Sequence, residues 1–145
     1  MEQLETNIVT WLLIVSGWAF VHHATLIRER RKEKREISVQ IRKDIADLQS
    51  IAIDFHTAPH YDSKKSTDLA QQVGRINIRL QRKPLSELGI PLAILITLRR
   101  QITKNNIDLS NFTPQQIDSK IIVGIRNAVN DLISLVEDNR ECVWK

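Results

Sequence analysis

The stretch IVTWLLIVSGWAFVHHATLI, Ile8–Ile27, runs directly into RERRKEKRE, Arg28–Glu36. Lys, Arg, Asp and Glu are absent from the first segment and make up all of the second. A helix rises about 1.5 Å per residue, so about 20 apolar residues match the roughly 30 Å hydrocarbon core of a bilayer. The pattern predicts a transmembrane helix that ends at a charged boundary. His22 and His23 shorten the strictly apolar part to the 14 residues Ile8–Val21, a length at which core and interfacial helices compete. Neutral His near one end and Trp11 near the other suit the two headgroup levels, which favours the span.

The flanks set its direction. Residues 1–27 hold no Lys or Arg, only Glu2 and Glu5, whereas Arg28, Arg30, Arg31, Lys32, Lys34 and Arg35 follow the span at once. Positive charge is retained on the cytoplasmic side, so the chain is expected N-out and C-in, with about 120 residues inside. A cleaved signal peptide would need a basic start and an A-x-A-like site, and neither is present. The expected location is therefore a cell membrane of the bacterial inner-membrane kind, with a single uncleaved pass. Within the span Thr10, Gly17 and Ala24 recur every seven residues, with Ser16 beside them. Small residues let membrane helices approach closely, which makes this stripe the candidate packing face.

Residues 37–145 suit one compact domain, giving the division 1–27 (short outer terminus and span), 28–36 (charged stalk) and 37–145 (cytoplasmic helices). The lone Cys142 excludes an intramolecular disulfide and fits a reducing compartment. Net charge is +4, and Arg28–Lys43 alone supplies more than that surplus. The basicity is thus local, an orientation and lipid signal before a nucleic-acid one.

The fold class expected is all-α: the transmembrane helix continues into a cytoplasmic four-helix bundle. Nothing breaks a helix between the span and Pro59, and Ile41, Ile45, Leu48, Ala52 and Phe55 alternate at four and three, the seam of an amphipathic helix. One helix is therefore expected over residues 6–57. The turn APHYD, Ala58–Asp62, precedes a second helix over 63–83 with Leu69, Val73, Ile76 and Leu80 on one stripe. Pro91 suits the first turn of a third helix, apolar nearly all round until Arg99 and expected to be the most buried element, ending at Asn105 and Asn106. Its apolar run Leu88–Leu98 is too short to span and is read as core. Thr113-Pro114-Gln115-Gln116 has the spacing of a capping box and predicts a fourth helix from there to about Asn139, with Ile121, Ile125, Ala128, Leu132 and Leu135 inward.

Candidate chemistry is sparse. Asp54, His56, His60 and Asp62 form the only metal-ligand inventory, a weak one, because Pro59 breaks the helix that would align the two imidazoles. Cys142 has no neighbouring His, and no glycine-rich phosphate loop or metalloprotease motif is present, so no enzyme activity, cofactor or small-molecule substrate is expected. Arg75, Arg79, Arg82 and Lys83 make a basic stripe on the second helix, and Arg99, Arg100 and Lys104 a second cluster. Aromatics that would stack on bases are missing beside them, which disfavours nucleic acid.

The partners expected are the lipid bilayer and either a protein or a second copy of the chain. The leading functional expectation is a membrane-anchored helical interaction module that recruits a partner or self-associates. Two alternatives stand beside it: a membrane-damaging effector acting through oligomerised spans, and a small subunit of a larger membrane complex.

Overall fold

Helix breakers are nearly absent from the first third of the chain, where Gly17 is the sole glycine before Thr57 and no proline occurs. The computed structural model describes residues 2–103 and 106–144, the first eight of them as backbone. It is all-α, with four helices, α1 (Glu2–Thr57), α2 (Ser63–Leu80), α3 (Leu92–Thr103) and α4 (Lys120–Val143), and no strand among the described residues. Short 3-10 turns lie at Leu85–Leu88 and Leu109–Asn111. Two compact units divide the chain, residues 1–36 and residues 37–145.

In the second unit, local chemistry sets the helix ends. Pro59 disfavours helical geometry at Ala58, and α1 stops there with Ala58 N–H donating to the Phe55 carbonyl. Asp62 caps α2 by accepting from the backbone N–H groups of Lys64 and Lys65 at 2.9 and 3.1 Å. The chain then turns at Gly89, whose φ of 61° is the left-handed conformation that glycine adopts without a Cβ penalty.

One core fills this unit. Ile41, Ile45, Leu48, Ala52 and Phe55 of α1 meet Leu69, Val73, Ile76 and Leu80 of α2, Leu85 and Leu88 of the 3-10 turn, Leu95, Leu98 and Ile102 of α3, and Ile125, Ala128, Val129, Leu132 and Val136 of α4. Helices α3 and α4 pack most closely. At Gly124 a Cβ would come within 2.5 Å of the Gln101 side-chain oxygen. Polar ties cross the same interfaces: Arg42 pairs with Glu137 at 2.8 Å, Arg79 pairs with Asp44, and Asn139 donates to the Leu88 carbonyl at 2.7 Å.

Four sequence expectations need correction. The capping-box motif does not open α4, because its polar groups are committed elsewhere. Thr113 N–H donates to Asn106 Oδ1, and Gln115 N–H donates to the His56 carbonyl. The helix begins at Lys120, with Ser119 Oγ accepting from Ile122 N–H as its cap. Helix α2 stops at Leu80 and not at Lys83, since the residue before Pro84 is driven out of helical geometry. The inward stripe of α4 is rotated: Ile122, Val129 and Val136 are buried, whereas Ile121 and Leu135 are half-buried. Finally, α3 is not the most buried element. Leu92 and Ile96 are 58% and 50% exposed, because the core touches only one side of that helix. Asn105, expected at its end, lies outside the described residues.

Candidate functional site

The first unit is a single helical segment with no second element of its own to bury its side chains. One helix among the described residues, near the N-terminus, is long and apolar enough to cross a membrane, and none of its most apolar window is buried. Trp11, Leu13, Trp18 and Phe20 are exposed all around it. Two of its hydroxyls are satisfied within the helix: Ser16 Oγ donates to the Leu12 carbonyl at 2.6 Å and Thr25 Oγ1 to that of Val21 at 2.9 Å. The Trp18 and His22 rings stack one turn apart, with centroids at 5.3 Å. In a medium without water such internal satisfaction is a requirement for every polar group.

The candidate packing stripe is open at its middle residue. A Cβ at Gly17 would meet nothing within 4 Å. Arg28, Arg30, Arg31, Lys32 and Arg35 are exposed and Lys34 half-buried, with Lys32 and Glu36 paired at 3.8 Å across one turn.

The four suspected metal ligands are not brought together. His56 is buried at the C-terminal end of α1, and both of its ring nitrogens are engaged. Nε2 lies 2.9 Å from the Ile102 carbonyl, which can only accept, so it carries the proton; Nδ1 then accepts from Asn106 Nδ2 at 3.2 Å. Burial holds the imidazole below its usual pKa, against the opposing effect of the bond to Ile102. Asp62 is spent on the α2 cap, and Asp54 and His60 are exposed. No group of three or more His, Cys, Asp or Glu among the described residues is placed to share a metal ion.

Around His56 lies a polar knot that sequence reasoning missed. Asn106 Nδ2 also donates to the Thr113 carbonyl at 2.9 Å, and Asn106 Oδ1 accepts from Thr113 N–H at 2.6 Å. Phe55, Tyr61 and Phe112 cover it in edge-to-face contacts with centroids 5.5 to 6.2 Å apart. The knot ties the connection after α3 to the end of α1, a structural role. An Asn read as a helix terminator gave no local hint of it.

The basic stripe is broken by one internal contact. Arg79 is committed to Asp44, whereas Arg75, Arg82 and Lys83 are exposed, as are Arg99 and Arg100 on α3. Lys104 lies outside the described residues. A cleft of about 130 Å³ opens between the two helices, lined by Ala70, Gly74, Asn77, Leu95, Leu98 and Arg99 among others. A glycine in mid-helix, Gly74, is the one sequence feature that marks its place. Cys142 is exposed near the end of α4.

Comparison of the chain with protein-family models, with curated proteins and with solved structures finds no match. Function therefore has to be argued from these residues alone.

Proposed function

We propose that the chain is a single-pass membrane protein, N-out and C-in, whose helices after the charged stalk form a four-helix bundle at the cytoplasmic face that recruits a protein partner or associates with itself. The observation that carries this reading is the junction at Ile27–Arg28, where an uncharged segment of bilayer length gives way to nine consecutive charged residues. The anchor would fix the concentration and orientation of the bundle, so that modest affinity suffices for recruitment.

The test uses the native thiol. In intact cells a membrane-impermeant maleimide is expected to leave Cys142 unlabelled until the membrane is opened, and to label Gln3→Cys in a Cys142→Ser background at once. Labelling of Cys142 in intact cells would overturn the orientation, and recovery of the chain in the soluble fraction would overturn the anchor.

The open position at Gly17, on the stripe Thr10, Gly17 and Ala24, favours a second reading, in which spans associate and breach the membrane. Induced expression would then collapse the membrane potential, and Gly17→Leu would abolish the collapse. Normal growth at high expression would count against it.

A further inference from the structure

His56 holds the connection between α3 and α4 from two points, its backbone and its ring. Its carbonyl accepts from Gln115 N–H at 2.8 Å, and its Nδ1 accepts from Asn106 Nδ2 at 3.2 Å. Asn106 passes the hold on to Thr113, pairing with its N–H at 2.6 Å and its carbonyl at 2.9 Å. Ser66 Oγ adds a tie from α2 by donating to the Ile107 carbonyl at 2.9 Å. Residues 106–115 are thus a strap over the end of α1, with Phe112 against Phe55 and Tyr61. Between its ties the strap has little cover, since Asp108, Leu109, Ser110 and Asn111 are all exposed. Such segments open at lower cost than a packed core.

These bonds are complete for a neutral imidazole and cannot be completed for a charged one. Nε2 already donates to the Ile102 carbonyl, so a second proton enters at Nδ1, where it faces the Asn106 amide donor. Turning that amide over would offer Oδ1 to the new proton. It would also set Oδ1 against the Thr113 carbonyl and the NH2 group against Thr113 N–H, losing two bonds to make one. No charge compensates. Among the described residues, the titratable groups on the neighbouring elements are Asp54 of α1, His60, Tyr61 and Asp62 of the turn, Lys64, Lys65 and Asp68 of α2, Arg99 and Arg100 of α3, Asp108 of the strap, and Asp118 and Lys120 at the start of α4. None of them is hydrogen-bonded or ion-paired to the imidazole, whose pKa is set by burial and by the bond to Ile102. His56 is also the one titratable residue that is buried among those described, so acid acts here before it acts on the rest of the core.

We propose that the strap 106–115 is a proton-operated latch: protonation of His56 at Nδ1 breaks its bond to Asn106 and frees the strap from the end of α1 while the four helices stay packed. Release uncovers the rings of Phe55 and Tyr61 and takes Phe112 away with the strap. In the closed form burial keeps the ring neutral below the pH at which an exposed imidazole charges, near 6.5, so the open form takes up the proton first and gains population as pH falls through that value. One proton per opening limits the gain to about tenfold per pH unit. The latch works in either orientation of the chain and with any partner, and so goes beyond the recruitment reading without resting on it.

The experiment is amide hydrogen exchange on the full chain in detergent from about pH 7.5 to about 5, each rate taken relative to that of an unstructured amide at the same pH. The probes are the amides of Thr113 and Gln115, which donate to Asn106 and His56; Val129 and Leu132, in the core of α4, are the reference. Protection of the two strap amides is expected to fall below about pH 6.5 by up to about tenfold per unit, while that of the reference amides holds. In His56→Gln the strap protection is expected to lose its pH dependence. Asn106→Asp keeps an acceptor for Thr113 N–H and gives the charged imidazole one at Nδ1, so its strap protection is expected to hold or rise as pH falls, with circular dichroism verifying that the helices are intact. Strap protection independent of pH in the native chain would overturn the proposal. So would equal losses at Val129 and Leu132, which would make the event unfolding of the whole bundle, or an acid-induced loss in Asn106→Asp equal to that of the native chain.

Discussion

Phe20 and Phe55 lie on the same helix, α1, yet Phe20 is 77% exposed and Phe55 is 1% exposed. The difference is in what surrounds them along the sequence. Around Phe55 the apolar residues recur at four and three, which leaves a polar side for water and an apolar side for α2, α3 and α4. Around Phe20 the residues are apolar on every side, which leaves nothing for water. A helix with one apolar stripe suits a protein core, whereas one apolar all round without protein cover suits the membrane placement proposed above.

The sharpest way to break the comparison is to truncate both rings. Phe55→Ala removes a ring packed on His56, Tyr61 and Phe112 and is expected to cost about 3–5 kcal/mol of unfolding free energy. Phe20→Ala should leave the denaturation midpoint of the same chain in detergent unchanged. Equal effects would mean that the first unit has a protein core of its own.

The converse change places a charge in each apolar segment's supposed solvent. If the proposed span holds, Val15→Arg near its middle is expected to disfavour insertion by about 2.5–3.5 kcal/mol, read as loss from the membrane fraction. Val39→Arg, at an exposed position in the second unit, should leave fractionation as it was.

A smaller effect is expected at the polar knot. Asn106→Ala leaves Thr113 N–H and the Thr113 carbonyl without their side-chain partner and takes away the donor to His56 Nδ1, a loss of about 1–3 kcal/mol for buried polar groups left unmet. The knot also predicts a pH response. His56 has a folded pKa below its unfolded value of 6.5, so as pH falls through 6.5 the unfolded chain takes up a proton first. Stability is therefore full above about pH 6.5 and declines below it, with at most one proton per chain. Protonation would turn Nδ1 into a donor facing the Asn106 amide donor, which reinforces the same direction. Unfolding titrations from pH 7.5 to about 5 should show this slope in the native chain and a shallower one in His56→Gln.

What was legible in the sequence follows the range of the forces involved. The seam Ile41–Phe55 and the stripe Leu69–Leu80 could be read because burial of one helix face depends only on the helix's own period, and every residue of both is buried. The cap at Thr113 misled because the same atoms served a tertiary partner, Asn106, seven residues away and a carbonyl at His56 still farther off. The exposure of Leu92 and Ile96 was illegible for a related reason: an apolar residue states its preference for burial but not whether a neighbour arrives to bury it. The site followed the same division. The helix long and apolar enough to cross a membrane was a matter of composition along one segment, whereas the cleft needed two helices from opposite sides of the Leu85–Leu88 turn to be set side by side.

The smallest effect expected separates the two regions by their glycines. Gly17 and Gly74 both sit inside helices, and a Cβ at either would meet nothing within 4 Å. In water, replacing such a glycine by alanine restricts the unfolded chain and raises helix propensity, so Gly74→Ala is expected to stabilise the second unit by about 0.5–1 kcal/mol in thermal or denaturant unfolding. Gly17→Ala should leave that unfolding unchanged, because the residue is outside the cooperative unit that melts. Its effect would be seen instead in the oligomer distribution by native mass spectrometry from mild detergent. A methyl group on the Thr10–Gly17–Ala24 stripe hinders close helix approach. A shift toward monomer would show that the open stripe of the first unit is a contact surface, as the buried stripes of the second unit are within one chain. An unchanged distribution would leave Gly17 as ordinary composition and confine recognition to the helices beyond Glu36.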